Sequence, residues 1–217
     1  MRYPAFLFLC ALTLSCNGNQ DQPKPQKTTP ADTAQKPAPK AAEPVTEPRI
    51  SLNEEDSVEM LNFEILQHLK SKKYANLARL IHPQKGVRFS MYGYVSDKDK
   101  KFSVTDFKNN IDAPIKFTWG DKDGTGDPLK VTFAEYLRTW VFKKDFSKSK
   151  LTINEFQGVG NSKNNLLEVY PNAVFTENYI PGTKANAEMD WYALRMVFEE
   201  YRGMYFLVAI INDQWTI

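Results

Sequence analysis

The chain has 217 residues, 28 Lys/Arg against 26 Asp/Glu and a mean hydropathy of −0.49. Both of its cysteines lie among the first 16 residues, so residues 50–217 hold neither a disulfide staple nor a thiolate for catalysis or metal binding. Those 168 residues carry 22 basic and 22 acidic side chains, which excludes the electrostatic footprint of a nucleic-acid-binding domain.

The chain opens on Met1-Arg2-Tyr3-Pro4, a nine-residue apolar stretch from Phe6 to Leu14, then Ser15-Cys16-Asn17. A basic start, a short apolar centre and a small residue at the break have the form of a secretory signal. The stretch is shorter than the roughly 20 apolar residues that span a bilayer. With Cys16 at the break, residues 1–16 resemble the signal of a bacterial lipoprotein, although Thr13 stands where the usual motif has Leu. The resemblance implies removal of residues 1–15, lipidation of Cys16 and a place in the cell envelope, facing the periplasm or the cell surface. An ordinary secretory signal cut elsewhere is the alternative.

Residues 17–49 contain seven prolines, many Lys, Gln, Thr and Ala, and no aromatic side chain. Such a composition cannot bury enough apolar surface to offset the entropy of ordering, so residues 16–49 are expected to form a disordered tether. Residues 50–217 are then read as one domain, long enough to bury a core without a staple.

The domain is expected to open with two helices. Ser51-Leu52-Asn53-Glu54 is a capping-box pattern, and Val58, Leu61, Ile65 and Leu69 come after it at helical spacing. A shorter helix over residues 73–81 turns Tyr74, Leu77, Leu80 and Ile81 inward and stops before Pro83, with His82 at its dipole-negative end favouring an imidazolium. The period then changes to two. Residues 87–95 alternate as a strand, and Ile115, Phe117 and Trp119 mark a second. Thr132 to Glu135 is another capping box, opening a helix to about residue 142. Strands are expected over 166–170, 173–180, 191–200 and 204–211, with Arg202-Gly203 in the turn between the last two.

These elements predict an α+β fold, an N-terminal helical pair packed on a curved, mainly antiparallel sheet. The helical pair closing with Tyr74 to Pro83 and the last two strands resemble the nuclear transport factor 2-like superfamily, a cone-shaped α+β fold. The resemblance implies a pocket between helices and sheet, in which some members keep an acid or a base. It implies nothing about activity, because unrelated functions share the fold.

No phosphate loop, dinucleotide fingerprint, nucleophile elbow or HExxH pattern is present, and no cofactor is expected. His68 continues the apolar face of the first helix and reads as structural, while His82 reads as a cap. Asp121, Asp123 and Asp127 fall at alternate positions with Gly126 at the sixth, as in the first half of an EF-hand loop, and are the candidate metal ligands. The twelfth position is Thr132 instead of a bidentate Glu, and ordinary turn chemistry gives the same pattern. Residues 50–217 also hold 25 aromatic side chains. Arg88, Tyr92 and Tyr94 share one strand face, and Trp191 and Arg195 share another, making these five the candidate binding residues for a polar or glycan-like ligand. Three readings are open: a membrane-anchored, non-catalytic module binding a ligand or an envelope protein; a cone-pocket enzyme using His82 or Asp213 as base with Tyr92 or Tyr94 as donor; and a purely structural envelope lipoprotein.

Overall fold

A computed structural model describes residues 53–216. The leader, Cys16, the proline-rich segment and Ser51 lie outside the described residues. Helix α1, Glu54–Lys70, is capped by Asn53, whose side-chain oxygen accepts the Asp56 N–H at 2.7 Å. Its first turn carries Glu54, Glu55 and Asp56 and its last turn His68 and Lys70, each sign at the end the helix dipole favours. Val58, Ile65, Leu66 and Leu69 are buried on its inner face.

A reversal at Lys72, with φ of 57°, leads to a 3-10 turn over Tyr74–Arg79 in place of the expected second α-helix. The sheet captures the chain too early for another helical turn. The Leu80 carbonyl accepts from Leu207 N–H at 2.8 Å, and His82 N–H donates back to the Leu207 carbonyl at 2.9 Å.

The remaining elements are β1 (Val87–Ser90), β2 (Lys100–Phe102), α2 (Val104–Asn110), β3 (Lys116–Asp121), β4 (Pro128–Thr132), α3 (Phe133–Tyr136), β5 (Lys150–Ile153), α4 (Leu166–Val169), β6 (Val174–Ile180), β7 (Tyr192–Tyr201) and β8 (Met204–Gln214). Six strands form one sheet in the order β2-β1-β8-β7-β6-β5, antiparallel except where β1 lies parallel to β8. Strands β3 and β4 form a separate hairpin. The molecule is thus α+β, with α1 and the 3-10 turn against a mainly antiparallel sheet.

The long hairpin β7–β8 organises both faces of that sheet. Leu194, Met196 and Phe198 project into the larger core with α1, while Val197 joins the smaller core on the opposite side. In β8 a bulge resets the phase: Val197 pairs with Ala209 and Phe198 with Leu207, leaving Val208 as the extra residue. Arg202 and Gly203, with φ of 55° and 78°, make the reversal between the two strands.

Aromatic rings fill the larger core. Trp119 stacks on Tyr136 with centroids 3.8 Å apart and an interplanar angle of 2°, and Phe89 meets Phe133 edge to face at 5.2 Å.

Three further elements differ from the sequence expectation. Strand β1 ends at Ser90, short of the expected residue 95, and all four of its residues are buried. Residues 166–169 form a helical turn, not a strand: Leu166 N–H bonds the Asn164 side chain at 3.0 Å, and Leu166 and Tyr170 both reach the smaller core. Helix α3 starts at the Thr132 cap as expected, with Glu135 N–H at 3.3 Å, but continues as a π-helical turn over Leu137–Val141.

Gly86 has φ of 70°, and a Cβ there would lie 2.2 Å from the Phe102 carbonyl oxygen. Gly203 has φ of 78° with nothing within 4 Å of that position. Gly86→Ala is expected to destabilise by more than about 2 kcal/mol and Gly203→Ala by only about 1 kcal/mol, since both carry the left-handed penalty and only the first adds a backbone clash. Urea unfolding of the two variants checks the difference.

Candidate functional site

The chemistry-bearing residues fall into separate groups. Glu177 on β6 and Arg195 on β7 are directly opposed in register, and Asp213 lies on the neighbouring β8. Arg195 and Glu177 are fully buried and Asp213 is 5% exposed. Arg195 Nε donates to Glu177 Oε2 at 2.6 Å, its Nη2 donates to the Gly158 carbonyl at 3.0 Å, and its Nη1 lies 2.8 Å from Asp213 Oδ2. That last contact is an ion pair without hydrogen-bond alignment. Glu177 Oε1 accepts the N–H groups of Gln157 and Gly158 at 2.6 and 2.7 Å. The Phe156 ring lies 4.9 Å from the guanidinium carbon.

One guanidinium thus serves two buried carboxylates. Glu177 takes the aligned bond and two backbone donors. Burial pushes the Asp213 carboxyl above its ordinary range, the Arg195 charge opposes that, and Glu177 adds to it. The arrangement fastens residues 156–158 over the sheet, and no side of Arg195 faces solvent.

Trp191 belongs to the same covering. It is 4% exposed, and Cβ atoms built on Gly158 and Gly160 would stand 2.7 and 2.8 Å from its indole carbons. The glycines let the backbone lie directly on the ring. Arg88 is 8% exposed, its guanidinium 5.9 Å from the Tyr170 ring centroid and its buried Nε without a hydrogen bond. Tyr92 is half-buried; its hydroxyl accepts the Asp123 N–H at 2.7 Å, and its ring meets Trp140 edge to face at 5.7 Å. Tyr94 is exposed, with Lys163 Nζ 5.9 Å from its ring centroid. Of the five candidate binding residues, Arg195 and Trp191 are consumed by internal contacts beneath residues 156–160.

Asp121, Asp123 and Asp127 do not come together as a ligand set, and among the described residues no three His, Cys, Asp or Glu side chains form a metal cage. The segment is the turn of the β3–β4 hairpin: Lys122 N–H donates to the Asp127 carbonyl, Gly126 N–H to the Lys122 carbonyl, and Asp127 N–H to Thr125 Oγ1. Backbone closure of the turn sets the carboxylate positions.

His82 is 2% exposed, and its Nδ1 accepts the N–H groups of Gln84 and Lys85 at 3.1 and 3.0 Å. Tyr201 and Phe206 flank its ring at 5.4 and 6.1 Å. Burial lowers its pKa. The expected imidazolium is corrected to a neutral ring whose acceptor nitrogen closes the turn at Pro83. His68 sits beside Glu64 and Arg79 on the flank of α1.

Two groups carry no obvious mark in the sequence. Asn62 and Asn178 exchange side-chain hydrogen bonds at 3.1 and 2.7 Å, and Thr176 donates to Asn62 at 2.8 Å, tying α1 to β6 within the core. Lys143 Nζ donates to Gln214 at 2.7 Å and lies 5.0 and 4.5 Å from the Trp140 and Tyr192 ring centroids. Burial, with Lys144 beside it, lowers its pKa to about 8.

An open concavity lies elsewhere. A groove of about 1130 Å³ runs between α1 and the β7–β8 hairpin. Met60 and Phe63 on one wall and Met204 on the other are each at least 59% exposed. No protein-family model matches the chain, and no curated protein or solved structure matches it. No helix of the described residues is long and apolar enough to cross a membrane.

Glu177→Gln leaves the guanidinium with a neutral partner on its aligned side and is expected to cost about 3–5 kcal/mol, the scale of breaking a buried ion pair. Asp213→Asn is expected to behave differently with pH. A carboxyl raised in the folded state contributes stability that is complete below its unfolded pKa and is lost as pH rises through the folded one. The stability of wild type relative to Asp213→Asn should therefore fall as pH climbs out of the ordinary carboxylate range. Urea titrations of both proteins from pH 3 to 8 measure it; a flat difference would show that Arg195 cancels the burial cost.

Proposed function

We propose that the chain is a lipid-anchored cell-envelope protein whose folded part is a non-catalytic binding module. The observation that carries the binding role is the apolar groove of α1 and the β7–β8 hairpin, which leaves large side chains in solvent while the ionisable groups at the sheet are turned inward. Exposed apolar surface gathered in one concavity is characteristic of an interaction site.

The anchor is supported by the sequence of residues 1–16 and by the proline-rich stretch after them. A lipid at Cys16 and 33 proline-rich residues would hold the domain at a distance from the bilayer, up to roughly 100 Å at the polyproline limit of about 3.1 Å per residue. Acyl chains contribute about 0.8 kcal/mol per buried methylene, so more than one chain makes a durable anchor. A nuclear transport factor 2-like domain fits this reading, with α1 and the 3-10 turn packed against a mainly antiparallel sheet.

Metabolic labelling with a palmitate analogue in a bacterial host tests the anchor. The wild-type chain is expected to incorporate label and to sediment with membranes, and Cys16→Ser is expected to lose both. Equal labelling of the two proteins, or a soluble wild-type product cleaved at another site, would remove the lipid from the reading.

A further inference from the structure

We propose that the groove between α1 and the β7–β8 hairpin is a docking surface for a cationic amphipathic helix of a partner protein. The inference rests on the binding-module reading and names the chemistry of its partner.

Helix α1 is apolar on two sides. Val58, Ile65 and Leu69 enter the core, while Met60 and Phe63, one turn apart, face outward at 59% and 63% exposure. Met204 on the hairpin faces the same groove at 59% exposure. Two methionines and a phenylalanine make an adaptable apolar lining on both walls, suited to side chains spaced at i, i+3 and i+4.

The rim supplies the sign of the partner. Glu54, Asp56, Glu59, Glu64 and Glu200 border the groove against one cation, Arg79. Arg79 is committed to Glu64, and Glu54 accepts the Tyr205 hydroxyl at 2.5 Å. The Asp56 and Glu59 carboxylates make no hydrogen bond or ion pair among the described residues. Helix-dipole stabilisation accounts for acids in the first turn of α1 only, and its reach ends there. Glu59 lies beyond it, while Glu64 pairs with Arg79 and Glu200 accepts the Gly203 N–H at 3.1 Å in the hairpin turn. An acidic rim repels the anionic surface of a bilayer, and with its one guanidinium engaged the groove has no free cation to fix an anionic small molecule. A helix with an apolar stripe flanked by Lys or Arg satisfies lining and rim together.

The test uses the full chain, purified in a non-ionic maltoside detergent, and two fluorescein-labelled 18-residue helices, one of Leu and Lys and one of Leu and Glu. Fluorescence anisotropy should show the Leu/Lys peptide binding at least about tenfold tighter, a difference of roughly 1.4 kcal/mol. Raising ionic strength from about 50 to 300 mM should weaken it several-fold, because rim charges are exposed to screening. Phe63→Ser and Met204→Ser should each weaken binding by roughly tenfold, the scale of losing one large apolar contact. Glu59→Lys should weaken it and reduce the salt dependence. These positions are exposed, and matching circular-dichroism melts would confirm folded variants.

Equal affinity for both peptides, or no loss in any variant, overturns the proposal. So does a dimer that Met204→Ser dissociates, which assigns the groove to a second copy. Binding that appears only after deletion of residues 17–49 assigns it to the chain's own segment and overturns it too. Peptide binding without Cys16 acylation would support this inference and remove only the anchor; acylation without peptide binding would do the reverse.

Discussion

The Arg195 guanidinium is the contact on which the sheet's second face depends. It sits on β7, bonds Glu177 on β6, pairs with Asp213 on β8 and holds the Gly158 carbonyl of the covering segment. A charge taken fully out of water is tolerable only when surrounded by such partners. Two carboxylates share that one cation, and at Asp213 the cost of burial outweighs the Arg195 charge, so its pKa is raised, with Glu177 adding a smaller push in the same direction. The glycine at 93 belongs to the same constraint, since a Cβ there would stand 2.7 Å from Asp213 Oδ2. Sheet, covering segment and the stretch after β1 are thereby packed around one ionic group.

The opposite face is held by different physics. Aromatic rings at 89, 102, 119, 133 and 136 interlock at edge-to-face and stacked angles, and the buried side-chain network reaching across from α1 is neutral, Asn62 with Thr176 and Asn178. Neutral amides cost less to bury than ions, and they fix the position of α1 along β6 where apolar contacts alone would allow sliding. The outward face of α1 is consequently presented at a set height beside the hairpin tip.

The long periodic elements are legible in the sequence. Val58, Ile65 and Leu69 mark α1 by their helical spacing, and residues 191–200 read as a strand, matching β7, because each run is long enough to identify its element. Residues 166–170 read as a strand but fold as a helical turn, since four or five apolar positions fit either period. The 3-10 turn after α1 reads as an α-helix because its ending is set by a long-range bridge to Leu207, which no local pattern encodes. Arg195 and Trp191 stand out in the sequence as chemically unusual. What local sequence withholds is register: Glu177 stands opposite Arg195 only once β6 and β7 pair, and Trp191 is covered only because glycines 158 and 160 let a distant segment lie on it.

The groove is hidden from sequence for a related reason. Met60 and Phe63 look like ordinary members of an apolar-rich helix, and Met204 looks like the start of a strand. Their exposure comes from a competition for area. The sheet face offers α1 one contact stripe, and Val58, Ile65, Leu66 and Leu69 fill it, with Asn62 bonded beneath. A helix of 17 residues with apolar side chains beyond that stripe must leave them in water unless another element arrives. Within the described residues none does, while carboxylates collect around the gap. A surface that existed only to keep the domain soluble would be served by the carboxylates alone. Pairing them with exposed Met and Phe leaves apolar area in water, and that is the area the proposed docking surface would cover.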